Sequence, residues 1–178
     1  MEIAQAQRDV RETFIGGFAG QLVSSALWLL SAAVCTWHSF IAGELVLVFG
    51  GFLIFPLTQL TLRMMGRPSS LAKGHPMNAL AMQIAFTLPL TLPLVLVVAS
   101  FRPEWFYPAL MITLGAHYLP FIFLYGMRQF GALAGVLILS GIGIALYVPH
   151  FVSLGGWLTG VLLFVFAFVG RQATHPDR

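Results

Sequence analysis

The run Ile41-Ala-Gly-Glu-Leu-Val-Leu-Val-Phe-Gly-Gly-Phe-Leu-Ile-Phe-Pro-Leu-Thr-Gln-Leu-Thr-Leu62 holds one charged side chain, Glu44. It is apolar on all sides, neither striped nor alternating. A stretch of about 20 such residues, rising ~1.5 Å each as a helix, has the length of a hydrocarbon core roughly 30 Å thick. Backbone in contact with lipid must satisfy its own hydrogen bonds, so the run is a helix. Five more runs of the same kind follow the chain: Thr13–Cys35, Ala79–Ser100, Tyr107–Gly126, Phe130–Val148 and Val152–Gly170. None shows the alternation a β-barrel strand needs. The expected fold is an all-α membrane protein, a six-transmembrane-helix bundle. It forms one transmembrane domain over residues 1–178, because the runs leave no room for a soluble domain.

Composition agrees. Of 178 residues, 58% are hydrophobic and 8% charged, where soluble domains carry about 25% charged residues. So few charges cannot cover a soluble surface of this size, and the implied partner is the lipid bilayer. A secreted disulfide scaffold, a nucleic-acid module and a disordered tail are excluded. The net charge of +3 comes from nine Lys and Arg residues in short clusters between the runs, which is no nucleic-acid footprint. Cys35 is the single cysteine, so neither an intrachain disulfide nor a thiolate cluster can form. At the N-terminus Glu2, Asp9 and Glu12 mix with Arg8 and Arg11, and the apolar run beyond them is longer than a signal-peptide core. It reads as a retained first span.

Six spans put both termini on one side. That side holds Arg8, Arg11, Arg63, Arg67, Lys73, Arg128, Arg171 and Arg178, against Arg102 alone on the other. Basic residues in short loops stay in the cytoplasm, so both termini are expected there. Trp37, Trp105, Tyr107, Tyr147 and Trp157 then fall near the outer interface, where amphipathic rings prefer to sit.

Glycine and proline punctuate the spans. Gly16/Gly20, Gly131/Gly135 and Gly156/Gly160 are Gly-x-x-x-Gly steps, which let helices approach closely. They serve packing within one chain or, as the alternative, a homo-oligomer. Pro56, Pro89, Pro93 and Pro120 lie inside spans and tend to kink them. Pro76 is expected at the first position of the third helix. Gly51-Phe-Leu-Ile-Phe-Pro56 echoes Gly115-Ala-His-Tyr-Leu-Pro120, through chance or through a parallel repeat of the kind that builds some transporters.

The stretches Phe49-Gly-Gly-Phe-Leu-Ile-Phe-Pro56, His75-Pro-Met-Asn78 and Gly115-Ala-His-Tyr-Leu-Pro-Phe121, with Leu124-Tyr125, resemble a bacterial family of small six-helix membrane proteins catalogued as a domain of unknown function. The resemblance implies a multi-pass protein of the bacterial inner membrane. It implies no activity and transfers no catalytic residue.

Polar groups inside spans are few, and each is a functional candidate because hydrocarbon penalises them. His117 lies ten residues along span 4 from Tyr107, about 15 Å deep, near the midplane. There an imidazole can relay protons, bind a solute or simply pack against a hydroxyl. Glu44 sits about one turn below the outer surface. Gln83, Thr87 and Thr91 recur at steps of four, forming one polar stripe. Span 1 adds Gln21, Ser24, Ser25 and Trp28. Span 2 adds Thr58 and Gln59. A polar seam of spans 1–4 collects these groups, with His117, Thr87, Gln83, Thr91, Glu44, Gln21 and Gln59 as its solute-binding candidates. His38, His75 and His150 read as solvated loop residues. No nucleophile elbow, His-Glu-x-x-His pair or phosphate loop is present, so no catalytic residue, metal site or cofactor is expected. Three readings stay open. The leading one is permeation or binding of a small solute or ion. The others are a structural or partner-binding protein, and a lipid-modifying enzyme using His117.

Overall fold

The computed structural model describes residues 2–174, which form helices joined by turns and short irregular loops. Arg178, counted above with the basic side, lies outside the described residues. The helices are α1 (Ile3–Phe14), α2 (Phe18–Trp37), α3 (Phe40–Met64), α4 (Asn78–Phe101), α5 (Phe106–Tyr118), α6 (Phe121–Tyr125), α7 (Gln129–Tyr147) and α8 (Leu154–Thr174). They make six segments long and apolar enough to cross a membrane. The second, third, fifth and sixth runs match α3, α4, α7 and α8 to within four residues at either end.

The first run is interrupted near its start. Thr13 belongs to the last turn of α1, and α2 begins only at Phe18. Between them Ile15, Gly16 and Gly17 have φ of 51°, 61° and 84°. This left-handed conformation suits glycine and strains a β-branched side chain. Close packing explains the break: a Cβ on Gly16 would collide with the Gly170 carbonyl of α8. α1 therefore turns aside, burying Ala6 and Val10 against the α5–α6 end of the fourth segment.

The fourth run divides as well. Pro120 has no N–H to give the Ala116 carbonyl, which instead accepts from Leu119 N at 3.2 Å. This tightened turn ends α5, and α6 resumes for five residues. Gly126, at φ 65°, terminates α6, with Met127 N reaching back to the Ile122 carbonyl at 3.2 Å, a Schellman-type stop. Two further α6 carbonyls are satisfied from α1: Gln7 Nε2 donates to Phe123 O and Arg11 to Tyr125 O, each at 2.6 Å.

Three smaller expectations need correction. Pro76 is not the first residue of a helix; it lies in a turn, and α4 starts at Asn78. His75 is buried rather than solvated. Its Nδ1 accepts from Met77 N at 3.2 Å, and its Nε2 lies 3.5 Å from Asp9 of α1. Tyr107 is no interfacial anchor but wholly buried. Its hydroxyl is 2.7 Å from Ser31 Oγ, which is 2.7 Å from the Gly43 carbonyl. A carbonyl only accepts, so Ser31 donates its one proton there, and Tyr107 must donate to Ser31.

Small residues set the packing. On α8, Gly156 meets Ala32 and Tyr107, and Gly160 meets Leu29, while Ser25 donates to the Gly160 carbonyl at 2.7 Å. This packs α2 closely against α8. The helices then neighbour one another in the order α3, α2, α8, α7, α5, α4. α3 and α4 are the two ends of this row. They face each other across a cavity instead of packing together.

Candidate intramembrane binding site

On α2, Gln21, Ser24 and Trp28 follow at i, i+3 and i+7, one face of a helix. That face lines a cavity of about 440 Å³. On α3 the matching face is Gly51, Ile54, Phe55 and Thr58, at i, i+3, i+4 and i+7. α4 contributes only apolar groups, among them Ile84, Leu88 and Leu92, while α5 and α6 bring His117, Tyr118, Phe121 and Tyr125. No charged side chain lines the cavity among the described residues. Aromatic rings close one side: Tyr118 stacks on Phe130 at 6.0 Å and Phe121 on Tyr125 at 5.6 Å, with Phe121 and Phe130 at 5.3 Å. Phe52, Phe55, Ala85 and Pro89 line the cavity yet are exposed on the membrane-facing surface. They mark a lateral mouth between α3 and α4.

The polar residues Gln21, Thr58 and His117 stand among this largely apolar lining. Gln21 is 3% exposed, and both its Oε1 and Nε2 are buried with no hydrogen bond. Thr58 Oγ1 and His117 Nδ1 are in the same condition. Gln21 stands within reach of the Tyr118 side chain, the His117 imidazole within reach of the Ile84 backbone, and the His117 ring lies 5.1 Å from that of Phe121.

The predicted candidates divide. His117 and Gln21 both line the chamber, one from α5 and one from α2. Gln83, Thr87 and Thr91 do not. Thr87 donates to the Gln83 carbonyl at 3.2 Å and Thr91 to the Thr87 carbonyl at 2.9 Å, Gln83 is exposed, and none of the three lines the cavity. Their stripe is real, but α4 presents a different face, through Ile84, Leu88 and Leu92. The seam expected from spans 1–4 is thus lined on α4 by hydrocarbon. Gln59 also misses the cavity; its neighbour Thr58, about 100° around the helix, takes the place. Glu44 lies apart, half-buried in an outer cleft with Leu96, Ala99 and Ser100 of α4.

Tyr118 and Tyr125 are lining residues that sequence reasoning did not select, and Thr58, expected in the polar seam, was not among its solute-binding candidates. A signal existed for Thr58: its spacing from Gly51 continues the face of the Gly-x-x-x-x-Pro echo. Both echoing segments contribute to the lining, Gly51–Phe55 from α3 and His117–Tyr118 from α5. They differ in that Pro120 ends a helix whereas Pro56 sits within one. Compared with known proteins, residues 3–171 match a family of unknown function (DUF7010). No curated protein and no solved structure matches the chain.

Proposed function

This chain belongs to that family of unknown function (DUF7010), and, with no activity to inherit from it, we propose that the protein binds a small molecule dissolved in the lipid phase, taken up between α3 and α4. The observation that carries the reading is a largely apolar chamber with a lateral mouth, whose lining includes Gln21, Thr58 and His117. Binding sites of this kind are mostly apolar, with a few convergent polar groups that set orientation.

Conduction of ions or hydrated solutes, the leading expectation from sequence, has less behind it. A water-filled path wants a continuous polar lining, and the α4 stripe that was to supply one wall bonds to its own helix. With both termini in the cytoplasm, as the basic residues favour, the His75–Asp9 contact lies at the cytoplasmic end of the bundle. The protein then acts in a cytoplasmic membrane.

Trp28 lines the chamber and reports on it. In a variant carrying Trp37→Phe, Trp105→Phe and Trp157→Phe, reconstituted in phospholipid with brominated acyl chains, Trp28 fluorescence should be quenched as lipid-phase molecules enter. Emission equal to that in unbrominated lipid ends this reading. Solute flux into proteoliposomes that His117→Ala abolishes would replace it with permeation.

A further inference from the structure

If the chamber takes up lipid-phase molecules, the cleft around Glu44 says which kind. The two helices that flank the lateral mouth present one unbroken face to the gap between them. On α3 the chamber lining of Val48, Gly51, Phe55 and Thr58 continues toward the start of the helix through Glu44 and Phe40, which line the cleft. On α4 the chamber lining of Ala85, Leu88 and Leu92 continues through Leu96 and Ala99. Steps of three and four keep side chains on one side of a helix. Glu44 is one turn from Val48, and Leu96 one turn from Leu92, so the cleft begins where the chamber stops. Together they make a single groove. Its far end, where α3 begins and α4 ends, carries a carboxylate.

That carboxylate is the one charged group lining the groove among the described residues. The ion pairs among them are His75–Asp9 and Arg102–Glu104, so Glu44 has no cationic partner within the chain. Arg102 caps α4 close by, but its guanidinium is 3.3 Å from Glu104 and lies over the Trp105 ring at 5.8 Å. A half-buried carboxylate walled by Phe40, Ile41 and Leu96 gains from a cation that arrives with the ligand.

The lining also selects the cation. Calcium and magnesium want a full shell of oxygens. Besides the carboxylate the cleft offers the Ser100 hydroxyl, which donates to the Val97 carbonyl at 2.7 Å, and no group of three metal-binding side chains occurs among the described residues. An organic ammonium is content with one carboxylate and is drawn further by an aromatic ring, here that of Phe40, one turn from Glu44. A zwitterionic phospholipid head would bring a phosphate too, and no Lys or Arg lines the groove to meet it. The remaining walls are largely hydrocarbon, which suits an alkyl chain.

We propose that the groove binds a cationic amphiphile, an alkyl chain ending in an ammonium head. The head sits on Glu44 and Phe40, and the chain runs between α3 and α4 into the chamber.

The test uses the full chain in phosphatidylcholine nanodiscs, with Trp28 as its only tryptophan. The probe is dodecyltrimethylammonium brominated at the chain end, so that the bromine enters the chamber when the head is at Glu44. Bromododecanol, with the same chain and no charge, is the reference, and half-saturation is expressed per lipid. Saturating quenching is expected, with the ammonium binding about tenfold more tightly than the alcohol. Glu44→Gln keeps the side chain's size and should erase that preference while leaving the alcohol unchanged, which also shows the variant folded. Glu44→Lys should turn the preference toward bromododecanoate. If Glu44→Gln loses the alcohol as well, the groove has collapsed and the wild-type comparison decides alone. Equal binding of ammonium and alcohol by the wild type, or an undiminished preference in a folded Glu44→Gln, overturns the ammonium assignment. Quenching that only rises in proportion to each amphiphile does the same. In all of these cases continued quenching of Trp28 by brominated phospholipid chains leaves the lipid-phase reading standing, and its absence overturns that reading as well.

Discussion

Arg11 of α1 donates to the carbonyl of Tyr125 at 2.6 Å, across 114 positions of sequence. The carbonyl is one that α6 leaves free at its C-terminus, and the arginine is on a helix that the left-handed break at Ile15–Gly17 has turned aside. Two helix ends are thereby joined by one charge-assisted bond, with Tyr125 also forming part of the cavity wall.

Removing that bond should loosen α1 without unfolding the bundle. Hydrogen bonds to charged groups contribute about 1.5–3 kcal/mol, so Arg11→Ala should speed amide exchange in α1 by roughly tenfold or more. Exchange in α2 should be unchanged. Exchange mass spectrometry in detergent reads both, and an unaltered α1 would mean that the apolar face of Ala6 and Val10 holds it alone.

Gly16 and Gly51 make a contrasting pair. Gly16→Ala puts a Cβ on a left-handed residue and against the Gly170 carbonyl, a strain of about 1–2 kcal/mol before the clash is counted. Gly51→Ala meets nothing within 4 Å and gains helix propensity of up to ~1 kcal/mol. Thermal melting in detergent should fall clearly for the first and hold or rise for the second.

The Tyr107–Ser31–Gly43 chain predicts an asymmetry. Ser31→Ala leaves the tyrosine hydroxyl without its serine partner and takes from the Gly43 carbonyl the bond it accepts beyond that of its own helix, at about 1–3 kcal/mol. Tyr107→Phe leaves the Ser31–Gly43 bond in place and should cost less, about 0.5–1.5 kcal/mol. Denaturation of the two variants and their double mutant gives the order. A costlier Tyr107→Phe would contradict the donor assignment.

Thr87→Val and Thr58→Val are the same chemical change on opposite sides of the argument. The Thr87 hydroxyl is spent on its own helix, whereas that of Thr58 is buried without a partner. Quenching of Trp28 by brominated acyl chains should be indifferent to the first and altered by the second, since Thr58 alone of the two lines the chamber. A larger effect from Thr87 would restore the α4 stripe as a functional wall.

Membrane orientation is open to a direct check. Single cysteines in a Cys35→Ala background, placed at Arg67 and at Glu104, should label with an impermeant maleimide from opposite sides. Arg67 is expected to be protected in intact cells and Glu104 reactive. The reverse pattern would overturn the cytoplasmic placement of the termini.

The six spans were legible in the sequence because hydrocarbon imposes a local rule: some twenty consecutive residues must be apolar, whatever they later touch. His117 and Gln21 were legible for a related reason, since a polar side chain inside such a run stands out against it. Which of the polar residues would meet was not legible. The α4 stripe did not say which side faces inward, because its threonine hydroxyls can bond carbonyls of their own helix, so the rotation of α4, and with it the absence of Gln83, Thr87 and Thr91 from the lining, follows only from how Ile84, Leu88 and Leu92 pack. The break at Ile15–Gly17 likewise depends on Gly170, some 150 residues away. Residue type decided that the chain crosses a membrane; the contacts between helices decided which few hydrogen-bonding groups share a chamber.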